Sequence, residues 1–145
     1  MNLYFACSIT GGRQDEAAYR AIVEALSADG HTIPTAHLSQ SDIMALEEQI
    51  EPKEVFTRDT TWINECQALI AEVSTPSHGV GYEVAYALSL GKPVLCCHRE
   101  GRRVSKMLTG NTHPHLRVRA YHTLDEVASI ARAFLADVSN ITPKA

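Results

Sequence analysis

The chain has 145 residues, 45% of them apolar and 21% charged, with a formal net charge of −4. That length suits a single domain with one core, and the charge excludes the basic footprint of a nucleic-acid binder. No apolar run reaches the length of a membrane span, and the first residues lack the basic segment and cleavage site of a signal peptide, so a cytoplasmic protein is expected.

Residues 2–7 form a short apolar run rich in strand formers, the pattern of a buried strand. A turn at residues 8–13 (SITGGR) breaks it. From residue 15 to 29, Ala18, Ile22, Ala25 and Leu26 recur at helical spacing, and Gly30 supplies a stop. Residues 32–35 read as a second strand, placed at an edge by Pro34. The polar stretch 39–51 predicts a loop with a helical turn. Pro52 fits the first position of a helix that reaches about Cys66.

Residues 68–73 (ALIAEV) predict a third strand, 80–90 a helix stopped by Gly91, and 93–97 a fourth strand. A helical turn is expected at 105–108 and a fifth, alternating strand at 116–121. Thr123 and Glu126 form a capping box for a last helix with Val127, Ile130, Ala131, Phe134 and Leu135 on one face. The domain so drawn covers residues 1–138, with 139–145 as a tail. Alternation of strands and helices predicts an α/β protein with a doubly wound parallel sheet. With five strands, the flavodoxin-like order 2-1-3-4-5 follows, and its crevice lies beyond the carboxyl ends of strands 1 and 3. Both Gly/Ser-rich turns, 8–13 and 74–81, would meet there.

Cys7, Cys66, Cys96 and Cys97 fall within expected strands or at a helix end without zinc-like spacing, so reduced core thiols are expected. Cys96 and Cys97, neighbours in one strand, should point to opposite faces. His113 and His115, astride a proline, read as a solvated turn and not as metal ligands.

The turn at residues 8–13 offers small residues, free N–H groups and one cation, Arg13, at the mouth of a helix, which suits a phosphate. It is neither a Walker loop nor a dinucleotide fingerprint. The second turn adds the hydroxyls of Ser74, Thr75 and Ser77, with Gly79 and Gly81 allowing close approach. Glu83 then follows in what reads as the first turn of a helix, where the dipole alone would favour an acid. Asp59 lies four residues after Val55 and four before Ile63, inside an apolar stripe, where a carboxylate is costly unless paired or used. Tyr4 could aim its hydroxyl from the first strand into the same crevice. Two carboxylates beside a phosphate site suit glycosidic-bond chemistry. One attacks the anomeric carbon, and the other, kept protonated by apolar surroundings, protonates the leaving group.

Four segments carry a resemblance to a known family: residues 4–13 (YFACSITGGR), 58–62 (RDTTW), 71–83 (AEVSTPSHGVGYE) and 101–107 (GRRVSKM). In this order they resemble the 2′-deoxynucleoside 5′-phosphate N-hydrolases, a branch of the nucleoside 2-deoxyribosyltransferase superfamily. The resemblance implies hydrolysis of a deoxynucleoside 5′-monophosphate to free base and 2-deoxyribose 5-phosphate, with no metal or other cofactor. It implies Glu83 as the nucleophile of a covalent glycosyl-enzyme, Asp59 as general acid and base, and Tyr4 as the group that orients the nucleophile. It further implies substrate contacts from Ser8, Ile9, Thr10, Gly11, Gly12, Arg13, Ser77 and Gly79, with His37 near the base. Ser105, with Met107 beside it, would be donated across a homodimer. Thr10 stands where relatives often carry Arg. A deoxyribosyltransferase that exchanges bases is the alternative activity. A nucleotide-sensing module without catalysis is the alternative of another class, and the pairing of Glu83 with Asp59 argues against it.

Overall fold

The computed structural model describes residues 1–141. Four parallel strands stand side by side in chain order: β1 (Leu3–Ala6), β2 (Ala68–Glu72), β3 (Val94–Arg99) and β4 (Leu116–Tyr121). β1 and β2 are buried along their whole length, and β3 over its first four residues. Strands covered on both faces have no solvent side, so their sequences read as apolar runs and not as alternating ones.

The two faces have separate cores. Leu3, Phe5, Ile70, Leu95 and Cys97 pack against α1 (Glu16–Ala28) and α6 (Leu124–Ile141). Tyr4, Ala6, Leu69, Ala71 and Cys96 face α3 (Pro52–Glu65) and α4 (His78–Ser89). Cys96 and Cys97 do point to opposite faces, and all four thiols are buried and free. Between α1 and α3 lie a 3-10 helix at Ala36–Ser39 and α2 (Ile43–Glu47); α5 (Lys106–Thr109) precedes β4.

The expected fifth strand is absent from the sheet. Residues 32–35 reach the free edge of β1 but make one parallel bridge, Asn2 to Thr32. Leu3 N donates to Thr32 O at 2.8 Å and Thr32 N to Met1 O at 2.9 Å. Pro34 then has no N–H to give, and Phe5 N donates to the Thr35 side chain, Oγ1, at 2.9 Å. A hydroxyl thus takes the place of the next ladder carbonyl, and the sheet stops at four strands among the described residues.

Three boundaries also moved. α4 begins at His78, with Ser77 Oγ capping it by accepting from Val80 N at 3.3 Å. Glu83 therefore sits in the second turn, beyond the reach of the first-turn dipole argument. The stretch 39–51 is more helical than expected, because the 3-10 helix and α2 bury Leu38 and Ile43. α6 continues through Ile141, so residues 139–141 of the expected tail are helical. Residues 142–145 of it lie outside the described residues.

Candidate active site

The chain leaves β1 toward the α1 face and leaves β2 toward the α4 face. Adjacent parallel strands that part this way open a crevice at their carboxyl ends. Gly11 fits against the second turn so closely that a Cβ on it would lie 2.3 Å from Pro76 O and 2.9 Å from Ser8 Oγ. Gly12 follows with φ +120°, a conformation that favours glycine. Thr75 Oγ1 donates to the buried Asp15 Oδ2 at 3.0 Å and ties the turns together. Below them Glu72 is fully buried, accepting from Tyr121 Oη at 3.0 Å, from Ser74 N at 3.3 Å and from Ser74 Oγ. Burial pushes its carboxyl up to about 7.

A cleft of about 460 Å³ lies beside these turns. Ile9 and Thr10 line it from the first turn, Ser77, Gly79, Tyr82 and Glu83 from α4, Val55, Phe56, Asp59 and Ile63 from α3, and Met44, Glu47 and Glu48 from the α2 segment. Asp59 and Glu83, far apart in sequence, thus share one cavity. No Lys or Arg lines it among the described residues, so any cation felt inside acts from behind the wall.

Glu83 turns its carboxyl back over Gly79, where a Cβ would come within 3.9 Å of Oε1. Burial, and then the neighbouring Asp59, push its pKa up to about 8, while Tyr4 and Arg58 pull against that rise. Tyr4 itself is 0% exposed in β1. Its hydroxyl is coupled to Glu83, which raises the phenol's pKa further beyond what burial does. Yet that hydroxyl makes no hydrogen bond of standard geometry among the described residues. An unpartnered buried hydroxyl next to a carboxyl is a costly arrangement.

Apolar surroundings were expected around Asp59, and the structure adds a charged partner to them. Desolvation is concentrated on Glu83, whereas Asp59 is held in an ion pair, with Arg58 Nε donating to its Oδ1 at 2.8 Å. The reason is position. Glu83 points down toward the β1 core, and Asp59 lies midway along α3, with 14% of its side chain exposed.

The other expected residues divide into three groups. Ile9, Thr10, Ser77 and Gly79 reach the cleft. Ser8, Gly11, Gly12 and Arg13 build the turn behind it. Ser8 Oγ is buried without a partner among the described residues. Arg13 spends its guanidinium on Ser8 O at 3.1 Å, Gln40 O at 2.6 Å and Glu16 Oε1 at 3.0 Å. His37 stands one residue back, its Nε2 3.5 Å from Glu47 Oε1 and its ring edge-on to Trp62.

Ser105 and Met107 lie elsewhere, in a groove of about 1090 Å³ between α4 and α5. That groove adjoins the cleft, since Ser77 and Val80 line both cavities. Sequence reading missed Glu47, Arg58 and the aromatic wall of Phe56 and Tyr82. Arg58 alone left a trace, at i, i+4 spacing to Trp62, over whose ring it stacks at 5.0 Å.

Comparison with known proteins agrees with this architecture. Residues 3–127 match the family model described as nucleoside 2-deoxyribosyltransferase. A provisionally named 2′-deoxynucleoside 5′-phosphate N-hydrolase of Methanococcoides burtonii is 37% identical over 121 residues, which is 83% of this chain and 99% of that one. The 5-hydroxymethyl-dUMP N-hydrolase of Rattus norvegicus is 39% identical over 113 residues, covering 75% and 69%. Among solved structures, the Clostridium botulinum CMP N-glycosidase BcmB superposes with a TM-score of 0.66 at 17% identity, over 90% of this chain and 97% of that one. With 125 consecutive positions under one family model and both site carboxylates inside that span, the chain belongs to the nucleoside 2-deoxyribosyltransferase family.

Proposed function

We propose that this protein hydrolyses the N-glycosidic bond of 2′-deoxynucleoside 5′-monophosphates, releasing the free base and 2-deoxyribose 5-phosphate. The observation that carries this reading is the pairing of Asp59 and Glu83 across one cleft whose far end is the N-terminus of α4. The relatives named as nucleotide N-hydrolases support the same activity.

Glu83 passes its proton to Asp59 and attacks C1′ as the C1′–N bond breaks, and Asp59 hands that proton on to the departing base. Asp59 then takes a proton from water, whose oxygen attacks C1′ and frees Glu83. Tyr4 steadies the ionised nucleophile, and its unpartnered hydroxyl is suited to that role. The phosphate sits against Ile9, Thr10, Ser77 and Gly79, where the free N–H groups of the first turn of α4 face an anion. Because no cationic side chain among the described residues lines the cleft, this subsite relies on backbone and hydroxyl donors.

A second copy of the chain completes the reading. Met107 is 82% exposed beside the larger groove, and that groove touches the cleft at Ser77 and Val80. A partner seated there brings its own Ser105 toward the phosphate end.

The test is a panel of deoxynucleoside and ribonucleoside monophosphates, with free base measured. Release of base from the deoxynucleotides, lost by at least ~10³-fold in Glu83→Ala, is the expected result. No release from any nucleotide would sink the reading. Turnover of unphosphorylated deoxynucleosides only with an added acceptor base would assign the transferase activity instead.

A further inference from the structure

The cleft wall is crowded with acids. Glu47 and Glu48 face it from the α2 segment, Asp59 from α3 and Glu83 from α4, with Tyr4 of β1 beside Glu83 and His37 behind Glu47. One guanidinium answers them. Arg58 donates from Nε to Asp59 Oδ1 at 2.8 Å, from Nη1 to Glu47 Oε1 at 3.1 Å and from Nη2 to Glu47 Oε2 at 3.3 Å. Its plane lies over Trp62. All three nitrogens are therefore committed to carboxylates, and the fork on Glu47 is bidentate.

Exposed ion pairs of one bond are worth little. This one differs in three ways. The side chains are 22%, 12% and 14% exposed for Arg58, Glu47 and Asp59. The geometry is the planar fork that lysine cannot reproduce. The pair also joins α2 to α3. Adjacent residues on a helix do not face one another, so Arg58 must fold back to reach Asp59, and Glu47 with Trp62 holds it in that pose.

We propose that Arg58 is a positioning residue: it pins the Asp59 carboxylate with one nitrogen while Glu47 anchors the other two, and its charge offsets the repulsion between Asp59 and Glu83. Arg58 sits behind the wall and does not itself line the cleft. This rests on the reading of Asp59 and Glu83 as the reacting pair. Burial and Asp59 raise the Glu83 carboxyl, and Arg58 lowers it. Removing the guanidinium leaves Glu83 protonated to a higher pH, so the proton that Glu83 and Asp59 share is kept further into the alkaline range. It also releases Asp59 to rotate away from the leaving base.

Arg58→Gln, Arg58→Lys, Glu47→Gln and the double variant Glu47→Gln/Arg58→Gln test this in the full-length protein. Two readouts are needed: the pH dependence of kcat/KM for base release, and the ¹³C titration of the Glu83 carboxyl in substrate-free protein. In Arg58→Gln the Glu83 titration and the alkaline limb should both move up by about one pH unit. The plateau near pH 7 should fall a few-fold, because Asp59 is no longer held toward the leaving base. Arg58→Lys should return the limb toward the wild-type position and leave the plateau low, because it keeps the charge and loses the fork.

An unmoved limb and an unmoved Glu83 titration in Arg58→Gln would overturn the proposal, whatever happens to kcat or thermal stability. For the anchor, Glu47→Gln should lower the plateau in the wild-type background and add little in Arg58→Gln. An equal loss in both backgrounds would show that Glu47 does not act through Arg58. The titration needs no substrate, so failure of the wild-type protein to release any base would refute the proposed activity while leaving Arg58 tested on its own.

Discussion

Tyr4→Phe separates what the fold wants from what the site wants. The Tyr4 hydroxyl is fully buried in β1 and makes no hydrogen bond of standard geometry among the described residues, although it lies close enough to Glu83 to act on that carboxyl. An unsatisfied buried hydroxyl costs about 1–3 kcal/mol, and deleting it leaves only a void the size of one oxygen. The variant should therefore be more stable by ~1 kcal/mol, roughly 3 °C in Tm for a domain of this size. Catalysis should move the other way. The hydroxyl lowers the Glu83 pKa from its burial-raised position, as a donor to the ionised carboxylate would. Loss of a hydrogen bond to a charged group is worth about 1.5–3 kcal/mol, so kcat/KM should fall ~10- to 10²-fold. Thermal unfolding near pH 6, followed by circular dichroism, and base release from a deoxynucleotide give the two numbers. A Tm lowered by several degrees would mean that the hydroxyl is hydrogen-bonded in the resting protein. Unchanged activity would remove Tyr4 from the site. Either result refutes the argument.

The acids make a second prediction, about pH. Glu83 and Glu72 titrate at about 8 and about 7 in the fold, against 4.5 for a free glutamate. A carboxyl raised in the native state binds more protons there than in the unfolded chain, so its stabilisation is complete below pH ~4.5 and is lost as pH climbs through the folded value. Glu83→Gln should thus match wild type in Tm near pH 4 and exceed it near pH 8.5, and a pH-independent difference would contradict that sign. Gly11→Ala places a methyl carbon 2.3 Å from the main-chain oxygen of Pro76, which should destabilise the protein by about 1–3 kcal/mol and raise KM as the turns separate. Met107→Asp should break the proposed dimer in light scattering. Ser105→Ala should keep the dimer and raise KM for phosphorylated substrates alone.

Most of the fold was legible in the chain because its signals are local. Buried parallel strands read as apolar runs, so residues 68–72 and 94–97 could be placed from sequence, and 116–121 by its alternation. Helix ends followed Pro52, Gly91 and the Thr123–Glu126 box, whose bond from Glu126 N to Thr123 Oγ1 measures 3.1 Å. The strand expected at 32–35 failed for a tertiary reason: Thr35 turned its hydroxyl, and not its main chain, toward Phe5. Asp59 was also legible, since it interrupts an apolar stripe, whereas Glu83 stood out only by following the Gly-rich turn.

The sequence alone determined which residue types stand at the two turns and on the two helices, and hence the kind of chemistry available. Only the tertiary structure decided how those groups are charged. Asp59 looked apolar-bound from its helical stripe, yet Arg58 folds onto it from the neighbouring position and Glu47 arrives from α2 to hold Arg58 there. Glu83 looked like a first-turn acid, yet it lies a turn deeper, above Tyr4 and against the sheet, where desolvation dominates. Residue periodicity records which way a side chain leaves its own element. The dielectric and the charges it then meets belong to other elements, and those are set only when the chain closes.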